Sequence, residues 1–183
     1  MCARHTLYTI SPSPDSTLAV EINETGLIKR KHLFIFERFI GRLTYNPDLP
    51  LETVLSLKID AGSVLCKSSH EGPGTREKLT TFARTQALAA GAHPELQIES
   101  QYFLAKPLRG FTVEGTSQFK GMQRELKANI GFGVEKNGRL QIDADAIVRL
   151  SCFGIAQHTS LFGLNRTSDE AVLHALIWGT AAT

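Results

Sequence analysis

Leu18, Val20 and Ile22 alternate with Ala19, Glu21 and Asn23, and the same period of two recurs along most of the chain. Leu55, Leu57 and Ile59 alternate with Ser56, Lys58 and Asp60. Leu96, Ile98, Ser100 and Tyr102 share one parity, and Phe111, Val113 and Phe119 share another. Leu126, Ala128, Ile130, Phe132 and Val134 stand opposite Lys127, Asn129 and Glu135; Leu140, Ile142, Ala144, Ala146 and Val148 stand opposite Gln141, Asp143 and Asp145. Side chains of a strand point to alternate faces, so each run has one apolar and one wet face, as antiparallel sheets allow. Turn residues separate the runs. Asn137-Gly138 reads as a two-residue hairpin, Lys120-Gly121-Met122 as a tight reversal, and Asn23–Gly26 and Asn46–Pro50 as breaks.

One segment departs from the pattern. Between Thr75 and Ala90, residues Leu79, Phe82, Ala83 and Ala90 fall on one side of a helix that Thr75 would cap and Gly91 would end. A loop over Ser68–Gly74 precedes it, and an irregular region runs from Gln157 to Ser168. Roughly eight or nine strands and one helix, with no repeat or interdomain linker, predict one domain over residues 1–183. Periodicity alone does not choose between a sandwich and a closed barrel.

Composition excludes several classes. Hydrophobic residues make up 42% of the 183 and charged residues 21%, a globular balance. A net charge of +2 gives no basis for a nucleic-acid surface. No stretch reaches the roughly 20 apolar residues of a membrane span. No apolar run near residue 1 forms a signal peptide, so a cytoplasmic location is expected, or a periplasmic one where an export segment has been removed. Cys2, Cys66 and Cys152 are too far apart for a zinc motif, and Cys66 and Cys152 are expected as buried small residues.

Catalytic and metal motifs are missing. The six histidines (His5, His32, His70, His93, His158, His174) form no paired ligand spacing, so scattered structural or surface histidines, and no metal, are expected. There is no G-x-S-x-G elbow, and Gly131-Phe-Gly133 lacks the third glycine of a dinucleotide fingerprint. Asp143 and Asp145 share the wet face of their strand. Lys29-Arg-Lys31, with Arg38 and Arg42, reads as a solvated basic strand end, and Asn165-Arg-Thr167 as a chance sequon.

The order of short motifs resembles the YceI-like family of bacterial polyisoprenoid-binding proteins. Tyr8-Thr-Ile-Ser-Pro12 with Asp15-Ser16 is similar to that family's Y-x-I-D-P-x-H-S. Phe36-Glu-Arg-Phe39-Ile-Gly41 and Leu43-Thr-Tyr-Asn-Pro47 resemble F-x-x-F-x-G-x-I-x-F-D-P, and Leu57–Val64 resembles V-x-I-x-A-x-S-I. Arg76, His93-Pro94, Gly110–Gly115, Leu150–Ile155 and Ser168-Asp-Glu170 match further motifs in order, covering residues 8 to about 178. Three segments depart: Gln118–Glu125 lacks the family's histidine and proline, Gln86–Gly91 replaces D-F-F-D, and Cys152 replaces an aspartate.

The resemblance implies an all-β fold with one short helix: an antiparallel eight-stranded lipocalin-like β-barrel enclosing an apolar cavity. It implies non-enzymatic binding of a polyisoprenoid or isoprenoid-quinone-like lipid, with no other cofactor and no nucleic acid. Transient membrane contact and a homodimer are compatible with that reading. The small residues Ala128, Gly133, Ala144 and Ala146 would leave a channel. The expected ligand-binding residues are Phe34, Phe36, Phe39, Phe82, Phe103, Phe119, Phe132, Ala144, Phe153 and Phe162. The alternatives are a filled barrel serving as a structural or protein-interaction module, and an enzyme acting on a lipid or quinone.

Overall fold

The computed structural model describes residues 5–26, 29–106, 110–134, 138–160 and 165–182. Cys2, Asn137 and Phe162, each singled out in the sequence, lie outside the described residues.

The strands are β1 (Thr6–Ile10), β2 (Thr17–Gly26), β3 (Arg30–Phe36), β4 (Phe39–Tyr45), β5 (Val54–Asp60), β6 (Val64–Cys66), β7 (Glu95–Ala105), β8 (Phe111–Phe119), β9 (Met122–Val134), β10 (Leu140–Arg149), β11 (Thr159–Ser160) and β12 (Asn165–Ala181). They form a closed antiparallel barrel of 8 staves, because each of the first three staves is broken in two. β1 and β2 lie end to end along β12, with Ile10 opposite Gly179 and Thr17 opposite Leu176. β4 and β3 continue the next stave, and β5 and β6 the one after. From β5 the ring runs through β7, β8, β9 and β10 back to β12. Closure, which periodicity left open, removes most sheet edges.

The edge of β6 is covered by a helix. Helix α1 (Pro73–Phe82) continues into a π-helical turn over Ala83–Ala87. Its Thr80 Oγ1 accepts the Cys66 N–H at 2.9 Å, and Arg84 Nε donates to the Val64 carbonyl at 3.0 Å. Two side chains thus satisfy backbone groups that a neighbouring strand would otherwise pair. The helix begins at Pro73 rather than Thr75, since proline at the first helical position lacks only an N–H that has no partner there. It stops at Ala87 rather than Ala90, with Ala89 in the left-handed region at φ 48°.

Several local expectations are corrected. A bulge between Ser100 and Tyr102 shifts the β7–β8 register, so Tyr102 turns outward, 64% exposed, and Phe103 turns in. β9 and β10 are paired from Leu140↔Val134 to Ala146↔Ala128, and the Asn137-Gly138 hairpin expected between them falls partly outside the described residues. The Lys120-Gly121 reversal is two residues long, both at positive φ, between the paired Phe119 and Met122. Asn23–Gly26 is no break: β2 stays paired with β12 through Gly26. Cys66 is buried, but Cys152 sits exposed in the 3-10 turn Leu150–Phe153. Asn165 is buried, which closes the sequon to modification.

Candidate functional site

The apolar faces of the staves meet inside the barrel and leave a cavity of about 400 Å³. That lies within the range of small-molecule pockets, roughly 300–1,000 Å³. Its wall is almost wholly aliphatic and aromatic: β2 supplies Leu18, Val20 and Ile22, β5 supplies Leu57, and β12 supplies Leu173 and Ala175. Ala128, Ala144 and Ala146 make room by being small, whereas Gly133 has the opposite parity on β9 and does not line the space.

One end of the barrel is plugged by aromatic rings. Tyr45 and Phe132 have ring centroids 4.8 Å apart, and Phe132 also packs against Phe103 at 6.0 Å and Phe111 at 5.9 Å. Burial, with Tyr8 nearby, holds the Tyr45 phenol above its ordinary range, so the plug stays uncharged. The structure thereby divides the predicted residues. Phe34, Phe36, Phe82, Phe119, Ala144 and Phe153 line the cavity. Phe103 and Phe132 point inward but belong to the plug, and Phe39 is buried core opposite Ile59 and does not itself line the space. Phe162 lies outside the described residues. The aliphatic half of the wall is not among the expected ligand-binding residues, although the alternation of Leu18, Val20 and Ile22 marks it in the sequence.

The other end carries the polar groups. Leu79 and Phe82 of α1 reach the cavity there, and Phe82 packs against His158 with ring centroids 4.9 Å apart. Glu71 and Thr75 on one side and Ala156, His158 and Thr167 on the other border the same space. Glu24, Arg30 and His32 complete this rim. Arg30 Nη1 donates to Glu71 Oε1 at 2.9 Å, His32 Nε2 stands 3.4 Å from Glu24 Oε2, and His70 Nε2 stands 3.4 Å from Glu71 Oε1. The His32 and His70 rings are 5.6 Å apart. This grouping was invisible to motif search, because β2, β3 and the loop after β6 bring together residues far apart in the chain. Asp145, by contrast, pairs with His174 on the exposed face.

No protein-family model and no curated protein sequence matches the chain. Solved structures do. The chain is similar to Burkholderia cenocepacia BcnA, with a TM-score of 0.70 at 12% identity over 90% of this chain and 96% of that one. It is similar to a polyisoprenoid-binding domain from Saccharophagus degradans, with a TM-score of 0.61 at 11% identity over 95% and 98% of the two chains. It is also similar to the Campylobacter jejuni YceI protein, with a TM-score of 0.58 at 18% identity over 82% and 84%. At these identities the likeness is one of fold, and the chain adopts the YceI-like barrel.

Proposed function

We propose that the chain is a YceI-like protein that binds and carries a lipid with an isoprenoid tail, a polyprenyl chain or isoprenoid quinone, without catalysing a reaction on it. The observation that carries this reading is the cavity: an apolar space of about 400 Å³, plugged by aromatic rings at one end and rimmed by polar residues at the other. A tail lying along the wall would leave its headgroup at the Glu24–Glu71 rim. Each methylene removed from water contributes about 0.8 kcal/mol, so a few prenyl units outweigh the cost of association. The polyisoprenoid-binding neighbour of the same fold supports the choice of lipid.

A filled barrel acting as an interaction module is disfavoured by the open space. The enzyme reading draws on the histidines and carboxylates at the rim, where Glu71 is held by Arg30 and Glu24 faces His32. Native mass spectrometry of freshly purified protein, followed by lipid extraction, tests the proposal. A co-purifying prenyl lipid, or saturable uptake of a short-chain prenyl quinone by stripped protein, is the expected result. Protein that carries no lipid and takes up no quinone would sink it.

A further inference from the structure

His32 is the most unusual residue of the rim. Its side chain is 9% exposed, its Nε2 faces Glu24 Oε2 at 3.4 Å, and its Nδ1 is buried with no hydrogen-bond partner. A buried polar atom without a partner calls for an explanation. With Nε2–H donating to the Glu24 carboxylate, Nδ1 carries a lone pair. A carboxylate behind one imidazole nitrogen, with the other bare, is how metal-binding histidines are oriented.

His70 and Glu71 supply further donors close to His32. One ligand atom each from His32, His70 and Glu71 lie within 4.8 Å of one another. The Glu71 side chain is 8% exposed and is held by Arg30 at 2.9 Å, so this carboxylate too has an outer partner. The rim holds two carboxylates, Glu24 and Glu71, against the single guanidinium of Arg30, a balance that favours a cation when the imidazoles are neutral.

We propose that His32, His70 and Glu71 bind a divalent transition-metal ion of zinc-like preference at the rim of the cavity. Two imidazoles and one carboxylate are a donor set that zinc accepts, leaving a fourth position for water or another ligand. Zinc–nitrogen bonds of about 2.0–2.1 Å draw tetrahedral donors to roughly 3.4 Å apart, so the three groups must close in slightly. His70 has the freedom to do so, since its side chain is 37% exposed on the loop that precedes α1. Glu24 and Arg30 are positioning residues in this arrangement. The inference goes beyond lipid carriage and does not depend on it.

The test uses the full chain, stripped with chelator and delipidated, with Zn²⁺ as calorimetric probe and Co²⁺ as spectroscopic probe. One ion per chain with micromolar or tighter affinity is expected, along with the visible bands of tetrahedral Co²⁺. His70→Ala and Glu71→Gln should each weaken binding at least about tenfold, and Glu24→Gln by about tenfold through loss of orientation. His174→Ala, on the outer face, should change nothing. Circular dichroism confirms the fold of each variant. Absence of binding at about 100 μM Zn²⁺, or binding that survives His70→Ala unchanged, overturns the site; so does binding abolished by His174→Ala, since roughly millimolar or surface affinity is not that of a built site. None of these outcomes bears on prenyl quinone uptake.

Discussion

The Glu99 carbonyl oxygen lies 2.1 Å from where a Cβ on Gly115 would stand. This contact sits beside the bulge at Ser100–Tyr102, where β7 presses its backbone onto β8 and reverses which residues face inward. No side chain fits there, and backbone on both sides leaves nothing flexible to yield.

Gly115→Ala should therefore destabilise the barrel by about 2–3 kcal/mol, the upper range for overpacking, read as a lowered urea midpoint. Gly131→Ala is the matched control. Its added Cβ meets nothing closer than the Asp143 carbonyl oxygen at 4.0 Å, so it should cost under about 0.5 kcal/mol. Equal effects of the two substitutions would mean that the close approach at Gly115 carries no energetic weight.

The same bulge shows what the sequence could and could not disclose. Leu55, Leu57 and Ile59 are all buried as their alternation requires, since a regular strand has only two faces. Tyr102 has the same parity as Leu96 and Ile98 in the sequence and ends outside, because one inserted residue resets the period and only pairing with β8 reveals it. The barrel wall was legible for the first reason. The rim was not, since Glu24, His32 and Glu71 meet only when three segments converge, a matter of closure rather than local spacing. Cys152 was misplaced because Leu150–Phe153 breaks into a turn at the end of β10, where alternation ceases to report burial.

Phe103 and Phe82 should separate plug from mouth. Phe103 is 4% exposed and packed among Phe111 and Phe132, so Phe103→Ala should cost about 3–5 kcal/mol. Phe82 is half-buried between the cavity and the His158 ring. Phe82→Ala should cost only about 1–2 kcal/mol, because less apolar area returns to water. Thermal or urea unfolding of the two variants in parallel decides the matter. A larger loss for Phe82 would mean that the mouth, not the plug, anchors the barrel.

Asp60 links pH to the break between β5 and β6. Burial works against its charge, but the Arg38 Nε hydrogen bond at 2.8 Å, the Gly62 N–H at 2.7 Å, the Arg38 charge and the Ser63 backbone together hold its carboxyl below the usual range. A lowered folded-state pKa means the unfolded chain binds more protons in acid. The stabilisation is present above the unfolded value, about 3.9, and is lost as pH falls through the lower folded value. Asp60→Asn should flatten this part of the acid limb, so the stability gap between parent and variant narrows as pH falls below about 4. A gap that stays constant from neutral pH to below about 3 would show that the Asp60 charge contributes nothing.

Ala144 is the position from which the cavity can be filled without touching the rim or the plug. It lies on β10 between Ile130 of β9 and Ala175 of β12, and its methyl group borders the open space. A phenylalanine there would project into existing volume rather than into packed neighbours, so Ala144→Phe should leave the fold intact. The ring would then occupy the path of a prenyl tail. Uptake of a short-chain prenyl quinone should fall at least about tenfold, equivalent to about 1.4 kcal/mol of binding free energy. Fluorescence titration with the quinone, paired with an unfolding curve, reads both quantities. A variant that unfolds like the parent and binds the quinone equally well would place the ligand outside the barrel.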